Sequence, residues 1–327
     1  LTIIGATSGD TGSAAINGCS KSNNIKMFIL FPKGKVSEVQ RKQMTTFGKN
    51  NVINVEVDGN FDDCQKLVKD FFKLNIKKKK YNLAAVNSIN WVRILGQIVY
   101  YFWSFFRIQK KLDPLSFVVP TGNFGNAYAG FFSKLMGLPI RKIIIGSNKN
   151  DILTRFFSSG GMEKKIIKKS FSPSMDIQVS SNFERLLYHF KNDTNEVNRF
   201  FNDLDNLGSF KVQKEILQKM LHTFQAGRLN DDDTVLSIKS IFNIYNIIID
   251  PHTAVGCSVG KTLLKESEKR IYLSTAHYGK FLDTVRKAIN INIQLPAQLS
   301  KIMKKKEKFE IIGNSLIELE RLVDLKT

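Results

Sequence analysis

The sequence contains little cysteine, and this scarcity limits the kinds of protein that it can encode. Its 327 residues include three cysteines, Cys19, Cys64 and Cys257, which are far apart and not spaced as metal ligands, and four histidines. An odd number of scattered cysteines excludes a disulfide framework and a zinc-binding motif. This usage is typical of a reducing compartment, so we expect a cytoplasmic location.

Long hydrophobic runs are also missing. The apolar stretches 98–106 and 143–145 are too short, or too interrupted by charge, to cross a bilayer, and no charged-then-apolar leader precedes them. With 43% hydrophobic residues, the chain still has enough apolar side chains for a substantial core. We therefore expect a globular protein of two lobes without a membrane partner.

Acidic residues are few relative to basic residues. The 29 Asp and Glu residues face 49 Lys and Arg residues, which gives a formal net charge of +20. Such an excess can serve nucleic-acid binding, but here the lysines are spread along the whole chain without interleaved aromatic residues or a nucleic-acid-binding signature. We therefore predict no nucleic-acid partner, and a basic surface instead favours phosphorylated small substrates.

The sequence does contain a repeated alternation of short apolar runs and longer amphipathic segments. Runs rich in Ile, Val and Phe predict strands at residues 2–4, 27–31, 52–57, 83–86, 117–119, 142–146, 247–249 and 271–274. Helical periodicity predicts helices at residues 11–19, 36–47, 61–72, 91–108, 127–136 and 254–264. This order favours an α/β fold with mainly parallel sheets flanked by helices.

The boundary between the lobes is predicted from a polar, lysine-rich spacer near residues 109–113. We therefore expect a smaller lobe at residues 1–112 and a larger lobe at residues 113–327. Within the larger lobe, residues 164–233 depart from the alternation of strands and helices. This range is predicted to be a helical insertion.

Two glycine-containing turns lie where a predicted strand passes into a predicted helix. The first is ATSGDTGSAA at residues 6–15, and the second is VVPTGNFGNAYAG at residues 118–130. Such turns present backbone N–H groups at a helix N-terminus, which suits a carboxylate or phosphate at the first turn and a phosphate at the second. Each turn alone is equally well explained as ordinary strand-to-helix punctuation. Neither matches the dinucleotide fingerprint, and no Walker lysine follows a glycine run.

Taken together, these turns and several other blocks resemble the threonine synthase family in its longer bacterial and fungal form. The blocks occur in that family's order and extend from residue 2 to about residue 290: ATSGDTGSAA, PKGKVSEVQRKQMTTFG, VNSINWVRILGQIVYYF, VVPTGNFGNAYAGFFSKLMGLPI, SPSMDIQVSSNFERL, DPHTAVG and STAHYGKF. The resemblance implies a two-lobed, tryptophan-synthase-like fold (fold type II) and pyridoxal 5'-phosphate as the cofactor.

The resemblance also implies a cofactor site and a substrate site. The implied cofactor residues are Thr121, Gly122, Asn123, Phe124, Gly125 and Asn126 around the phosphate, Thr275 at the pyridine nitrogen and Asp10 near the ring oxygen. The implied substrate residues are Ser8, Gly9 and Thr11 at the carboxylate, and Asn87, Ser88, Asn90 and Arg93 at the substrate phosphate, with Lys33 or Lys35 as a further candidate. Arginine suits that place because its planar fork can pair with two oxygens, although an internal acidic partner would also explain it.

The implied reaction converts O-phospho-L-homoserine and water to L-threonine and phosphate, by elimination at the γ carbon and addition of water at the β carbon. The family's cofactor-binding lysine lies in a phenylalanine-lysine-aspartate motif shortly before the first turn, and this motif does not occur in the chain. We therefore expect a fragment that lacks this lysine and does not turn over by itself, so we name no catalytic residue. Two alternatives remain open: a threonine-synthase-like phospholyase that forms no threonine, and a non-catalytic binding protein that keeps the fold.

Several other conspicuous residues have simpler explanations. His252 and His277 follow turn-like or strand-end residues, and we expect each to support its neighbours through hydrogen bonds rather than to act in catalysis. The aromatic side chains of residues 91–106 predict a buried core helix. The sequence leaves the oligomeric state open between a monomer and a homodimer.

Overall fold

Strands and helices alternate along most of the protein, of which the computed structural model describes residues 1–87 and 90–327. The strands are β1 Thr2–Ala6, β2 Lys26–Pro32, β3 Val52–Val57, β4 Leu83–Ala85, β5 Leu115–Pro120, β6 Ile140–Ser147, β7 Gly161–Glu163, β8 Ser209–Lys211, β9 Phe224–Arg228, β10 Arg270–Tyr272 and β11 Glu310–Ile312. The helices are α1 Asp10–Cys19, α2 Glu38–Thr45, α3 Phe61–Lys78, α4 Trp91–Ile108, α5 Gly125–Leu135, α6 Ile152–Ser159, α7 Phe183–Lys191, α8 Thr194–Asn206, α9 Lys214–Leu221, α10 Asp231–Tyr245, α11 Pro251–Leu263, α12 Leu282–Ile289, α13 Ala297–Met303 and α14 Leu316–Lys326.

The chain forms two compact units. The first contains Leu1–Asn90 and Gln294–Thr327, and the second contains Trp91–Ile293. This division differs from the predicted lobes 1–112 and 113–327 because α4 belongs to the second unit and the C-terminal segment returns to the first. The reason is packing: α4 buries one face in the core of the second unit, whereas β11 extends the sheet of the first unit by pairing with β3.

The first unit is built on a five-stranded parallel sheet in the order β11-β3-β2-β1-β4. Alternate residues of its central strands face opposite sides. Ile4 of β1 lies in a cluster with side chains of α3 and α14, and Ile3 lies in a separate cluster with side chains of α1 and α2. Both faces are therefore covered, which explains why β1 is buried along its whole length.

The second unit contains a four-stranded parallel sheet in the order β10-β5-β6-β9, with a small antiparallel pair formed by β7 and β8. One face of the sheet packs against a large core rich in phenylalanine. On the other face, α11 approaches closely because it carries small residues. A Cβ atom on Gly256 would lie 3.1 Å from Cδ of Pro120, at the end of β5.

Two predictions about the second unit are wrong in part. β9 lies inside the range 164–233 that was predicted to be a helical insertion, yet it pairs with β6 in the central sheet. Residues 247–249 form no strand: Asn246 ends α10 in the left-handed conformation, with φ of 53°. Ile248 and Ile249 then pack against a cluster that includes Val285 of α12, so their apolar character serves helix packing.

The aromatic helix α4 has its predicted bounds but is buried on one face only. Tyr101 and Phe105 are fully buried, whereas Tyr100 and Trp103 are 64% and 62% exposed. The prediction of a buried core helix therefore holds for half of its circumference. Within the described ranges, no helix combines the length and the apolar character needed to cross a membrane.

Candidate functional site

The turn between β5 and α5 has an unusual backbone. Phe124, at the N-terminal cap of α5, adopts the left-handed conformation with φ of 61° and ψ of 0°. A bulky residue rarely adopts this conformation, and it persists only where the surroundings enforce it. The ring of Phe124 is fully buried, with its centroid 5.1 Å from that of Phe183 and 5.7 Å from that of Phe224. The aromatic core thus fixes the shape of the turn.

Two carbonyl groups of this turn accept hydrogen bonds from other parts of the protein. The Ser180 hydroxyl donates to the carbonyl of Gly122 at 2.7 Å, and the N–H of Asn182 donates to the carbonyl of Asn123 at 3.1 Å. The first hydrogen bond of α5 is donated by Tyr128. Among the described residues, no acceptor binds the backbone N–H groups of residues 125–127. This end of α5 is therefore suited to an anion.

Gly122 lies directly against the segment that holds the turn, residues 172–182. A Cβ atom on Gly122 would lie 2.9 Å from the carbonyl oxygen of Ser174 and 3.1 Å from Cα of Met175. Both are backbone atoms, so the contact could be relieved only by moving the chain. Gly125 is less restricted, because the nearest atom to its Cβ would be the side-chain Nδ2 of Asn182 at 3.3 Å.

Thr275 lies at the same edge of the second sheet as this turn. It follows β10, which pairs in parallel with β5, and the N–H of Leu273 donates to the carbonyl of Val118 at 3.0 Å. The carboxyl ends of neighbouring parallel strands meet at one edge, where open α/β sheets bind their ligands. Thr275 is exposed. The structure therefore places Thr275 and residues 121–126 at the ends of neighbouring strands, at the same edge of the sheet.

The buried carboxylate of Asp250 is linked by hydrogen bonds to residues near this edge of the sheet. Asp250 is 1% exposed, and its Oδ1 accepts hydrogen bonds from the backbone N–H and from Nδ1 of His252, both at 2.8 Å. Its Oδ2 accepts a hydrogen bond from the Thr253 hydroxyl, which lies 3.5 Å from the hydroxyl of Ser274. Burial acts to raise the pKa of Asp250, but the hydrogen bonds from His252 and Thr253 outweigh burial and hold it below the ordinary value of 3.8.

The two predicted supporting histidines have backbone partners. Nε2 of His252 accepts a hydrogen bond from the N–H of Ser174 at 3.2 Å, so this ring links Asp250 to the segment that packs on Gly122. Nδ1 of His277 accepts a hydrogen bond from the N–H of Gly279 at 3.0 Å. These contacts agree with a supporting role for both residues.

Sequence reasoning missed a polar cluster on the other side of the same segment. Oδ1 of Asp176 accepts hydrogen bonds from Nδ2 of Asn148 and Nδ2 of Asn150, both at 2.8 Å, and from the Ser170 hydroxyl at 2.6 Å. These bonds fasten residues 170–176 to the loop that follows β6. The sequence did contain a signal, because Asn148 and Asn150 come shortly after a predicted strand. Asparagine side chains in a loop often form hydrogen bonds with nearby backbone groups.

In the first unit, the turn after β1 is closed by a residue that sequence reasoning also missed. The Thr7 hydroxyl is buried and accepts hydrogen bonds from the N–H groups of Gly9 and Gly12, each at 2.9 Å. Gly9 has φ of 133°, a conformation that favours glycine. Two N–H groups that were expected to face a ligand therefore hold the turn itself, and Gly9 contributes its shape.

Asp10 begins α1, and its side chain has a defined orientation. Its Oδ1 accepts a hydrogen bond from Nε2 of Gln40 at 3.0 Å. Gln40 is 1% exposed, and its Oε1 accepts a hydrogen bond from the Ser37 hydroxyl at 2.9 Å. The N-terminus of α2 thus positions the carboxylate at the start of α1.

The predicted substrate segments of the first unit lie at one edge of its sheet. Residues 8–12 follow β1, Lys33 and Lys35 follow β2, and Asn87 follows β4. Because β1 pairs in parallel with both β2 and β4, their carboxyl ends are adjacent. Both lysines are exposed. The order of the strands therefore accounts for the grouping of segments that are far apart in the sequence.

The remaining predicted phosphate ligands are divided between the two units. Asn90 belongs to the first unit and Arg93, in the first turn of α4, belongs to the second. Burial lowers the pKa of the Arg93 guanidinium below its ordinary value, which indicates a partly apolar environment. A charge in such an environment gains more from an anionic partner than an exposed one does. Ser88 lies outside the described residues.

Two family models match the chain. Residues 1–197 match the model for pyridoxal-phosphate dependent enzymes, and residues 253–323 match the model for the C-terminal part of threonine synthase. The first match includes both glycine-containing turns and the helix that carries Arg93. The second includes Thr275. The segments that form the two candidate sites thus lie within matched ranges.

Similarity to known threonine synthases extends over nearly the whole chain. The threonine synthase of Saccharomyces cerevisiae is 42% identical over an alignment of 347 residues including gaps, and the alignment covers 98% of this chain and 68% of the relative. That of Pseudomonas aeruginosa is 40% identical, covering 99% of this chain and 70% of the relative. The chain thus spans about two thirds of the length of these relatives.

Solved structures agree with the sequence matches. The pyridoxal-phosphate-bound threonine synthase of Brucella melitensis superposes with a TM-score of 0.92 at 43% identity, covering 99% of this chain and 70% of that one. The threonine synthase of Escherichia coli superposes with a TM-score of 0.85 at 29% identity, covering 100% of this chain and 71% of that one. These matches confirm the predicted tryptophan-synthase-like α/β fold.

The turn after β5 fits the phosphate of the cofactor that these comparisons imply. Its N–H groups at residues 125–127 are donors without acceptors in the described ranges, and the lack of a side chain at Gly122 lets residues 174–175 pack against the turn. Pyridoxal phosphate is therefore the cofactor, as predicted. The fold, the matched ranges and the identity to several threonine synthases lead to one conclusion: the chain belongs to the threonine synthase family of pyridoxal-phosphate dependent enzymes.

Proposed function

We propose that this protein forms L-threonine and phosphate from O-phospho-L-homoserine and water. The observation that carries the proposal is the turn after β5, where N–H groups at the start of α5 have no acceptor among the described residues and lie at the same sheet edge as Thr275. A phosphate-binding turn next to a neutral hydroxyl suits pyridoxal-phosphate chemistry that continues beyond the α carbon.

The cofactor is held by residues of the second unit. Residues 121–126 bind its phosphate through backbone N–H groups, and the Thr275 hydroxyl forms a hydrogen bond with the pyridine nitrogen. When bound, pyridoxal phosphate supplies an electron sink for negative charge that develops on the substrate carbons. The neutral hydroxyl at Thr275 moderates this withdrawal relative to a carboxylate, which suits a reaction that continues to the β and γ carbons. Asp10, oriented by Gln40, lies near the ring oxygen in this proposal.

The substrate carboxylate is held by the turn after β1. The hydroxyl groups of Ser8 and Thr11 supply donors, and Gly9 supplies the backbone shape. Because the Thr7 hydroxyl already fixes two N–H groups of this turn, the donors are held in position before the substrate arrives. Such preorganisation lowers the entropy lost on binding.

The substrate phosphate is held by Asn87, Ser88, Asn90 and Arg93, with Lys33 or Lys35 as a further donor. Arg93 supplies the principal charge, because its planar guanidinium can donate two parallel hydrogen bonds to one phosphate. The amide side chains add neutral donors that orient the group without further charge. The leaving phosphate thus departs into a site that stabilises its negative charge.

We further propose that the 327 residues alone bind the cofactor and do not turn over. The phenylalanine-lysine-aspartate motif, which supplies the lysine that binds the cofactor in this family, does not occur among them. Without that amine, no described residue is assigned to proton transfer at the substrate carbons. Product formation is therefore expected only from a protein that contains this lysine.

The test is product analysis with the protein encoded by the complete gene. Given O-phospho-L-homoserine and pyridoxal phosphate, we expect threonine and phosphate in equal amounts. Release of phosphate with oxobutyrate and no threonine would contradict the proposal and favour a phospholyase. Absence of any product would favour a non-catalytic binding protein.

The role of Arg93 is tested in the same assay. We expect Arg93→Ala to raise KM for O-phospho-L-homoserine by about tenfold to a hundredfold, because a charge-assisted contact contributes about 1.5–3 kcal/mol. Titration with pyridoxal phosphate should give an unchanged affinity. Arg107→Ala, at the other end of α4, is the matched control and should alter neither quantity. Equal losses of substrate and cofactor binding in Arg93→Ala would contradict this assignment.

The cellular setting follows from the cysteines. Cys19, Cys64 and Cys257 are all free thiols in the described structure, which supports a reducing, cytoplasmic location. We propose a monomer or a homodimer without nucleic-acid or membrane partners. Light scattering during size-exclusion chromatography, run with and without added DNA and lipid vesicles, decides each part: a mass above that of a dimer, or co-elution with either addition, would contradict it.

A further inference from the structure

A cavity lined by cationic side chains lies in the second unit, apart from the turn after β5. Its volume is about 380 Å³, and its charged lining residues are Lys149, Asp151, Arg155, Lys165, Lys168 and Arg228. We call this site the cationic pocket. It is formed where β6 and β9 end, with walls from α6 and from the segment that follows β7. Five cations therefore converge from separate parts of the chain, with one carboxylate among them.

The carboxylate does not neutralise the cationic pocket. Asp151 accepts hydrogen bonds from Nε of Arg155 at 2.9 Å and from Nη1 of Arg228 at 2.6 Å. Burial acts to raise the pKa of Asp151, but these two arginines outweigh it and hold the pKa below its ordinary value, so the group is ionised at neutral pH. One negative charge thus orients two arginines and leaves a net positive charge.

Two lysines of the cationic pocket are not paired with any acidic residue in the described ranges. Lys149 pairs with Asp231 at 2.7 Å, and Arg155 also contacts Glu163 at 3.4 Å. In the part of the chain that the structure describes, Lys165 and Lys168 have no acidic partner. The pocket with these neighbours therefore carries an excess of positive charge that is located at these two lysines.

The backbone that carries the two lysines is fixed. The N–H of Lys165 donates to Oε1 of Gln178 at 3.2 Å. The N–H of Lys168 donates to Oδ1 of Asn150 at 2.8 Å, and Nδ2 of Asn150 donates to the carbonyl of Lys168 at 2.8 Å. Both lysine side chains are exposed, so solvent screens their mutual repulsion, and an anion bound at the cavity would be attracted by both charges.

We propose that the cationic pocket binds a small molecule carrying a diphosphate group or a similar pair of adjacent anionic groups. Arginine and lysine donors around a cavity of about 380 Å³ match the charge and size of such a group. The site is separate from the cofactor phosphate. The segment 172–182 lies between them, with Ser180 bound to Gly122 and Gln178 lining the pocket.

The probes are inorganic pyrophosphate and ADP, each titrated calorimetrically into protein saturated with pyridoxal phosphate, at about 0.15 M salt. We expect one molecule bound per chain. The double variant Lys165→Ala/Lys168→Ala should bind at least about tenfold more weakly. Lys169→Ala is the matched control, because Lys169 is exposed beside Lys168 but does not line the pocket, and its affinity should match that of the unaltered protein.

Each outcome decides the proposal. Tighter binding of ADP than of pyrophosphate would identify a nucleotide as the source of the diphosphate, and the reverse would identify an inorganic or other diphosphate. Both outcomes support the pocket if the double variant loses binding. No binding of either probe up to about 1 mM, or equal binding by the double variant and the unaltered protein, would overturn it. Circular dichroism of each variant verifies that the fold is retained.

Discussion

At the scale of single residues, the backbone conformation of Phe124 shapes the turn after β5, where we propose that the cofactor phosphate binds. The sequence indicates glycines and a helix start, but a left-handed phenylalanine cannot be predicted from residue type, because the conformation is unfavourable for it. It depends on aromatic rings from α7 and β9 that contact Phe124 in the folded core. The position of the turn could be predicted from the sequence. The contacts that fix its conformation could be identified only from the structure.

Gly122 gives a direct test of this turn. We expect Gly122→Ala to weaken the affinity for pyridoxal phosphate, because the added methyl group would lie 2.9 Å from the carbonyl oxygen of Ser174 and displace the turn. The affinity is measured by absorbance titration of the complete gene product. Gly96→Ala in α4 is the control: no atom lies within 4 Å of that Cβ position, so this variant should bind normally. Equal affinities of the two variants would show that the turn tolerates displacement.

Asp250 predicts a dependence of stability on pH. Its pKa in the folded protein is below 3.8, so the carboxylate stabilises the fold above that pH and the contribution is lost as the pH falls through the folded pKa. We expect Asp250→Asn to have a lower free energy of unfolding than the unaltered protein at neutral pH. The gap should narrow from about pH 5 to about pH 3 in urea titrations. A gap that stays constant with pH would exclude this role of Asp250.

At the scale of elements, the order of the strands explains why distant segments meet. Helix α4 was predicted with its observed bounds because its apolar residues recur with helical periodicity over a long segment, and β3 because it is short and rich in valine. β9 was missed because it is short and contains Ala226 and Gly227, which are depleted in strands. Its place beside β6 is a tertiary property, in which pairing with a buried neighbour outweighs local preference.

Thr7 and Asp176 illustrate the same limit for polar residues. Each organises a loop by accepting several hydrogen bonds, yet in the sequence neither differs from a surface residue of its type. Their importance arises from the hydrogen-bond partners that the fold brings close. The glycine pattern indicated where the two turns lie, whereas the residues that hold their shape could be identified only from the structure.

A substitution at Ser180 tests whether the segment 172–182 shapes the turn after β5. It is fully buried, and Ser180→Ala would leave the Gly122 carbonyl without its donor at 2.7 Å. We expect a loss of about 1–3 kcal/mol in the free energy of unfolding, together with weaker binding of pyridoxal phosphate. Val179→Ala, on the same segment and 41% exposed, should leave both quantities unchanged. The assignment fails if Ser180→Ala loses stability but binds the cofactor normally, because the segment would then not shape the turn.

At the scale of the whole molecule, the chain leaves the first unit at residue 90 and returns to it at residue 294. The lysine-rich spacer at residues 109–113 suggested a boundary because loops between domains have this composition. The actual change of unit falls just before α4, where no composition signal occurs. The return of the C-terminal segment to the first unit cannot be predicted from the sequence either, because β11 is three residues long and α14 resembles any amphipathic helix.

A substitution at Leu319 of α14 tests whether the C-terminal segment stabilises the first unit. It is fully buried in a cluster with Leu67 and Phe71 of α3, so Leu319→Ala should reduce the stability of the first unit by about 2–5 kcal/mol. Ile317→Ala is the matched control, because Ile317 is 71% exposed on the same helix. Hydrogen exchange followed by mass spectrometry should show faster exchange of β3 and β11 in Leu319→Ala and unchanged exchange of β5. Faster exchange in β5 as well would mean that the two units unfold together, and unchanged exchange in β3 would mean that α14 contributes little to the unit it rejoins.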